Sequence, residues 1–298
     1  MQHCRFSVFL LGLGASFVNS GSNTLVPGLY PDNPSSAMNL GNVFFSLGAV
    51  SFPLAITLMA SRIGLAATMA LIAVLVALPG VLALFQTFPQ AGSAGGFNWD
   101  DVRKAVFDPS ILLLAIVLLF YSSLETSTGG WLRTYLEQEF HVSTRSSGLL
   151  LTLFFGTMMA GRLAASQIGR KMRGSLLVAG ASLGAVVGLA LLALAPDARS
   201  ATAGIVLCGL CYGPIFPTTA GTARTYFPRI FGTVFGILML VAFTGSMTLP
   251  AVIGYVAKGA TVRSGIWLIC ATALLLVAFQ ACFVIYERRR LLRVTVKA

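Results

Sequence analysis

Nine long apolar runs constrain the fold of this chain more than any other feature of its sequence. Each run is about 20 residues or longer, the length that an α-helix needs to cross about 30 Å of hydrocarbon. Transmembrane strands would be about half as long and would alternate in polarity. The sequence therefore predicts an all-α integral membrane bundle with about nine transmembrane helices. The runs lie at about 6–29, 38–60, 64–87, 110–136, 146–168, 174–195, 201–226, 231–257 and 265–286.

Composition excludes a soluble protein and a disordered one. The 298 residues are 56% hydrophobic and 10% charged, with a mean hydropathy of +0.86, whereas an ordinary globular domain has about 25% charged residues. The net charge of +11 is carried by short gaps between the apolar runs, where cytoplasmic loops collect Lys and Arg. We therefore expect a lipid bilayer, and not nucleic acid, as the partner of this basic chain.

The distribution of basic residues predicts the orientation. A cytoplasmic carboxyl end gives 13 basic residues inside and 7 outside, which is the bias that inner-membrane proteins show. The inside set is Arg103, Lys104, Arg162, Arg170, Lys171, Arg173, Arg224, Arg229, Arg288, Arg289, Arg290, Arg293 and Lys297. The outside set is Arg5, Arg62, Arg133, Arg145, Arg199, Lys258 and Arg263. We expect a multi-pass protein of the plasma (inner) membrane.

Polar stretches divide the chain into four parts. Residues 1–88 form a partial N-terminal bundle of three helices, 89–109 a cytoplasmic central linker, 110–287 a six-helix C-terminal bundle, and 288–298 a basic cytoplasmic tail. Tyr30-Pro31 and Phe227-Pro228 close two runs 197 residues apart, and Gly41 and Gly232 open the next runs 191 residues apart. This repeat predicts a six-plus-six layout that lacks its first three helices; a true nine-helix protein is the alternative.

The motifs in these runs resemble the major facilitator superfamily, and within it the fucose/glucose–proton symporter branch. The segments that carry the resemblance are Gly12-Leu-Gly14 with Asn19-Ser-Gly-Ser-Asn23, Asn39-Leu-Gly-Asn42 with Ser46-Leu-Gly48, Tyr121-Ser-Ser-Leu-Glu125 with Trp131 and Tyr135, and Gly213-Pro-Ile-Phe-Pro217 with Phe227-Pro-Arg229. The resemblance implies a secondary transporter that moves a small polar solute, with a sugar favoured, by proton- or ion-coupled symport and alternating access.

Two departures from the family pattern bear on coupling. In the fucose symporters the position matching Asn19 is acidic, whereas an asparagine does not titrate. The segment Gly161-Arg-Leu-Ala-Ala-Ser-Gln-Ile-Gly-Arg-Lys171 resembles the superfamily's gating-loop motif, with Ala165 where an aspartate is usual. The resemblance implies a cytoplasmic gating turn here, made by Gly161, Arg162, Gly169, Arg170 and Lys171.

Glu125 is the acidic residue that lies in the middle of a predicted span, since the other eight acids fall in loops or near span ends. A charge at the bilayer centre costs about 3 kcal/mol on insertion scales, so such a residue is a functional candidate by default. We expect Glu125 to carry the coupled proton. A protonated glutamic acid with a purely structural hydrogen bond is the alternative.

Four asparagines on the first two spans are candidate solute ligands. Asn19 and Asn23 are four residues apart, and Asn39 and Asn42 are three apart, so each pair shares a helix face. Carboxamides both donate and accept hydrogen bonds, which suits a polyhydroxylated sugar. Hydrogen bonding between helices, worth about 0.6 kcal/mol per bond, is the alternative role.

Three aromatic residues complete the predicted solute site: Tyr121, Trp131 and Tyr212. Trp131 follows Gly129-Gly130, where the span can bend, and its ring can stack on a sugar or lie at the membrane interface. Tyr212 precedes Pro214 and Pro217, which we expect to break the helix and expose backbone groups to a cavity.

No enzymatic or cofactor motif is present. The sequence has no HExxH, no phosphate-binding loop and no paired acids at membrane depth, and its one CxxC, Cys208 and Cys211, has no second pair or nearby histidine. We therefore predict no enzyme activity, no cofactor and no metal. The remaining alternatives are a transport-inactive remnant of a transporter, a transporter of another organic solute, and a membrane-embedded receptor or scaffold.

Overall fold

The computed structural model describes residues 2–87, 99–259 and 261–295, and over these ranges it is helical with no strand. The helices are α1 (Gln2–Leu29), α2 (Pro34–Ile63), α3 (Leu65–Ala83), α4 (Trp99–Val106), α5 (Pro109–Phe140), α6 (Thr144–Ile168), α7 (Gly174–Leu194), α8 (Ala198–Tyr226), α9 (Phe231–Gly259) and α10 (Val262–Thr295). We call α1–α3 the N-terminal half and α5–α10 the C-terminal half.

The nine long helices match the nine predicted spans, which confirms the all-α membrane fold. Seven of them, α3 and α5–α10, are long and apolar enough to cross a membrane, and α1 and α2 are 28 and 30 residues long. Two boundaries differ from the prediction. The short helix α4 occupies part of the predicted linker, whose residues 89–98 lie outside the described ranges.

The second difference concerns the basic tail, because α10 continues to Thr295. Residues 288–295 contain no glycine or proline, and arginine and leucine are good helix formers. The predicted tail is therefore mostly an extension of the last helix.

Polar contacts between helix ends define two faces of the bundle. At the face where α10 ends, which we call the C-terminal face, the Tyr226 hydroxyl donates to Glu287 (2.6 Å) and Arg290 donates to Ser110 at the start of α5 (3.1 Å). At the opposite face, Arg263 pairs with Glu139 (3.0 Å) and donates to the Ala195 carbonyl (3.1 Å). The α1–α2, α6–α7 and α8–α9 turns therefore all lie at the C-terminal face.

Helix α8 is the centre of the C-terminal half, and glycines allow α6 to approach it closely. A Cβ on Gly161 would lie 2.1 Å from the Leu210 carbonyl oxygen, and one on Gly213 would lie 2.3 Å from the Met158 carbonyl oxygen. Real Cβ atoms do not approach so closely. The α6–α8 crossing therefore depends on backbone-to-backbone contact, the way small residues pack helices in membranes.

The prediction that Pro214 and Pro217 break the helix is wrong, since α8 continues from Ala198 to Tyr226 through both prolines. A proline removes the N–H that would bond the carbonyl four residues earlier, so the helix loses its bonds to the Leu210 and Gly213 carbonyls. Neighbouring helices can satisfy such groups in a membrane protein. The Gly213 carbonyl accepts a hydrogen bond from Arg162 of α6.

Helix α2 joins the two halves along a polar seam with α6 and α8. Ser36 donates to the Ser166 carbonyl of α6, Ser35 donates to the Thr218 carbonyl of α8 (3.3 Å), and the Asn39 amide donates to the Thr218 hydroxyl (2.8 Å). These contacts lie in the first part of α2, near the C-terminal face. By contrast α3 is largely exposed, and Thr68 is its one buried residue.

We expect Gly161→Ala to destabilise the protein, because the new methyl group would meet the Leu210 carbonyl of α8. Overpacking of this kind costs about 1–3 kcal/mol. The matched control is Gly156→Ala on the same helix, where a Cβ meets nothing within 4 Å and the better helix propensity of alanine applies. Thermal unfolding in detergent tests this, and equal midpoints for the two variants would contradict it.

Candidate functional site

Three of the four predicted asparagines form one hydrogen-bonded chain between α1 and α2. The Asn23 amide donates to the Asn19 side-chain oxygen and to the Asn19 carbonyl (3.0 Å). The Asn42 amide in turn donates to the Asn23 side-chain oxygen (3.1 Å) and to the Met38 carbonyl (2.9 Å). The i, i+4 spacing on α1 aligns the first two residues, and α2 presents Asn42 at the same depth.

These asparagines lie at a cavity of about 760 Å³ between the helices of the N-terminal half. Most of its wall is apolar, and its polar groups are Asn19, Ser22, Asn23 and Asn42. A largely apolar cavity with a few convergent polar groups is the usual form of a small-molecule site. A second cavity of about 600 Å³ lies nearer the C-terminal face and includes Asp32 and Arg170.

Arg162 of α6 connects the asparagine chain to the C-terminal half. Its side chain is 2% exposed, and its Nη1 donates to the Asn42 carbonyl (3.0 Å) and the Ser46 hydroxyl (2.6 Å) on α2. Its Nε donates to the Gly213 carbonyl of α8 (3.2 Å). Its guanidinium also lies 5.6 Å from the centre of the Phe45 ring.

The carboxylate of Glu125 on α5 is the counter-charge of this guanidinium. Its Oε1 lies 3.9 Å from Arg162 Nη2, and its side chain is 26% exposed whereas that of Arg162 is nearly inaccessible. Tyr121, one turn earlier on α5, is fully buried, and its hydroxyl has no hydrogen-bond partner among the described residues. The guanidinium of this ion pair is therefore enclosed, whereas its carboxylate is partly accessible.

The other predicted solute ligands lie elsewhere. The Asn39 amide is bonded to Thr218 on α8. Tyr212 is fully buried and shares a hydrogen bond with Thr128 (3.2 Å). Trp131 packs against α9, where a Cβ on Gly254 would lie 3.2 Å from its ring, and α5 runs on through Gly129 and Gly130. The structure thus joins Asn19, Asn23, Asn42, Arg162 and Glu125, but not Asn39, Trp131 or Tyr212.

The placement of Gly161 and Arg162 in a cytoplasmic turn is wrong. Helix α6 continues to Ile168, because residues 161–168 include no proline and Gly161 is held at the α8 crossing. Gly169, Arg170 and Lys171 do lie in the turn between α6 and α7. Without the buried Arg162, twelve of the thirteen basic residues assigned to the inside remain in that set.

Sequence reasoning missed the link between Arg162 and Glu125, although one signal was available. Arg162 lies inside the predicted span 146–168, and a basic residue within a span requires a partner. Glu287, also expected near the end of a span, is 9% exposed and accepts hydrogen bonds from Ser175 and Tyr226. In the described ranges no group of three or more His, Cys, Asp or Glu residues could hold a metal ion.

Solved structures of similar fold are transporters. The Escherichia coli fucose:proton symporter FucP, in a single-residue variant, superposes with a TM-score of 0.77 at 16% identity, over 95% of this chain and 78% of that chain. FucP in its outward conformation gives 0.75 at 15% identity, over 93% and 76%. The human organic anion transporter MFSD10 (TETRAN) gives 0.73 at 22% identity, over 88% and 67%. At these identities the likeness concerns the fold.

Curated relatives match a shorter part of the chain. The TsgA homologues of Edwardsiella ictaluri (strain 93-146) and Serratia proteamaculans (strain 568) are each 28% identical over 156 residues. The match spans 52% of this chain and 40% of each relative's length.

A family-level comparison covers nearly the whole chain. The sequence model of the Major Facilitator Superfamily matches residues 6–228 and again residues 114–296. The two matches overlap over residues 114–228, and together they cover residues 6–296. The chain belongs to the major facilitator superfamily.

Proposed function

We propose that this chain is a secondary active transporter that moves a small polar solute, with a sugar favoured, in symport with a proton. The observation that supports this proposal most directly is the continuous polar path from Asn19 through Asn23, Asn42 and Arg162 to Glu125. One end of this path borders a cavity of about 760 Å³, and the other end is an accessible carboxylate. Alternating access between the two halves would expose the path to each side of the membrane in turn.

The chemistry of the cavity supports an uncharged, hydroxyl-rich solute. Its polar groups are three carboxamides and one hydroxyl, each of which can donate and accept hydrogen bonds without imposing a charge. The apolar wall suits the carbon face of a pyranose ring. The fucose:proton symporter among the structural neighbours is consistent with this class of solute.

The position of Glu125 supports its role as the proton carrier. Its carboxylate is partly accessible and lies beside a guanidinium that cannot reach water, so gain of a proton changes the charge balance of the site. Tyr121, Trp131, Tyr212 and Asn39 would join the solute site only after a rearrangement, since in this conformation they pack within or against the C-terminal half. The turn at Gly169, Arg170 and Lys171 would gate the C-terminal face.

We expect Glu125→Gln to abolish proton-driven accumulation of a labelled sugar while solute exchange across the membrane survives. The amide keeps the shape and hydrogen bonding of the side chain but does not titrate. The matched control is Glu137→Gln near the end of the same helix, whose half-exposed carboxylate pairs with Arg133 (3.6 Å) and accepts a hydrogen bond from Ser147. Accumulation unchanged by Glu125→Gln in a transport-competent preparation would assign Glu125 a structural role.

The charges at the C-terminal face support an orientation in which this face lies in the cytoplasm. The turns at the C-terminal face and the end of α10 contain Arg170, Lys171, Arg173, Arg229, Arg288 and Arg289, which cytoplasmic loops favour. We expect an enzyme reporter that is active only in the cytoplasm to give signal when fused after Ala298. The same reporter fused before Met1 should stay silent, and the reverse pattern would overturn this orientation.

A second candidate is a chain that does not transport alone, and the exposure of α1 and α3 favours it. The residues that line the cavity with Asn19 and Asn23 all belong to α1–α3, and long apolar side chains of α1 and α3 are exposed along these helices. Solute sites of this fold lie between two complete halves. Activity would then require further helices packed on α1 and α3.

If this second candidate is correct, the 298-residue chain in liposomes should take up little or no labelled sugar. A fusion that places three N-terminal helices of a close relative before Gln2 should recover uptake, because those helices would close the cavity wall. Uptake is compared at matched protein, with empty liposomes as the baseline. Equal uptake by the two forms would show that the nine long helices suffice.

A further inference from the structure

Arg162 is the one side chain of the described structure that bonds α2, α5 and α8 at once. It donates to the Asn42 carbonyl and the Ser46 hydroxyl on α2, pairs with Glu125 on α5, and donates to the Gly213 carbonyl on α8. The contacts to α5 and α8 stay within the C-terminal half, whereas those to α2 cross to the N-terminal half.

The anchor on α8 is created by a proline. In an α-helix the carbonyl of residue 213 would accept from the N–H of residue 217, and Pro217 has no N–H. Gly213 also has no Cβ, and one placed there would lie 3.0 Å from the Arg162 backbone nitrogen. The freed carbonyl and the open approach together fix the Arg162 side chain to the C-terminal half through its Nε (3.2 Å).

With Nε bonded to the Gly213 carbonyl, Nη1 and Nη2 of Arg162 face two different kinds of oxygen. Nη2 faces the carboxylate of Glu125 (3.9 Å), which can gain a proton, and Nη1 faces the oxygens of α2, which cannot. A buried charge that loses its counter-charge is strongly destabilised. Neutralising Glu125 would therefore leave an uncompensated guanidinium at the seam between the halves.

We propose that Arg162 is a positioning residue that ties the charge of Glu125 to the docking of α2 against α6 and α8. With Glu125 ionised, the guanidinium is balanced and holds α2 through Asn42 and Ser46. With Glu125 protonated, the unbalanced guanidinium favours separation of α2, which admits water or solute to it. By linkage, separation also favours proton uptake by Glu125. This inference rests on the proposed function only in taking Glu125 as the proton carrier.

Glu125 is the carboxylate paired with Arg162, and the other titratable groups near the pair are buried phenols or lie at the C-terminal face. Helix α5 adds the Tyr121 phenol and α8 the Tyr212 phenol, both fully buried, while α2 contributes amide, hydroxyl and phenyl groups. Between residues 231 and 257, α9 contains no acidic or basic residue. On α10, Glu287 is bonded to Ser175 and Tyr226 at the C-terminal face.

The test measures the separation of α2 from α6 directly, without solute. Spin labels are attached through Asn33→Cys in the α1–α2 turn and Met172→Cys in the α6–α7 turn, both exposed, in a background whose five native cysteines are replaced. Pulsed electron–electron double resonance gives the distance distribution as the pH is lowered. We expect a longer-distance population that grows on acidification.

Three substitutions distinguish control of α2 docking by the charge of Glu125 from a general loss of helix packing. Glu125→Gln should raise the longer-distance population about fivefold at neutral pH, within the usual range of coupling factors, and should remove its pH dependence. Arg162→Gln added to Glu125→Gln should return the population toward the starting value, because no unbalanced charge remains. Glu137→Gln, the control at the far end of α5, should keep the original pH dependence.

The inference is overturned if Glu125→Gln leaves the distance distribution and its pH dependence unchanged, or if the added Arg162→Gln widens the separation further. Because no solute is present, the outcome is independent of transport. If sugar uptake is absent but the distance between α2 and α6 still depends on the charge of Glu125, the proposed function alone is refuted. Uptake that depends on Glu125 with no change in distance would refute this inference alone.

Discussion

The burial of the Arg162 guanidinium is the constraint on which the rest of the site depends. An arginine in the membrane interior needs a counter-charge and hydrogen-bond acceptors, and each is supplied by a different helix. Glu125 provides the charge, the Gly213 carbonyl provides an anchor, and α2 provides the last two acceptors. The Arg162 guanidinium therefore adds a charged contact to the polar seam between the two halves, and the asparagine chain of α1 and α2 ends at that group.

Helix α8 makes this arrangement possible through residues that weaken an ordinary helix. Glycine and proline are the poorest helix formers, yet α8 is continuous because neighbouring helices satisfy or cover what they expose. Gly213 lets α6 approach, and Pro217 leaves the carbonyl to which Arg162 binds. In a membrane, close packing and polar contacts replace the hydrophobic driving force between helices, so the same residues both hold and shape the site.

The sequence predicted the spans and grouped Asn19, Asn23, Asn39 and Asn42 on the first two of them, because apolar length and helical periodicity are local signals. It failed where the outcome depends on a partner helix. The prolines of α8 suggested a break, but the donor that replaces the lost bond lies 51 residues away on α6. Arg162 matched a loop motif in sequence, yet its neighbours Asn42 and Glu125 come from helices far apart in the chain.

A double-mutant cycle on Arg162→Met and Glu125→Gln tests most directly whether the two residues act as one unit. The free energy of unfolding in mixed micelles is measured for each single variant, the double variant and the unmodified chain. Each single variant leaves a buried or half-buried group without its partner, so we expect a coupling energy of about 1–3 kcal/mol. Effects that add to within about 0.5 kcal/mol would show independent residues and would contradict the account.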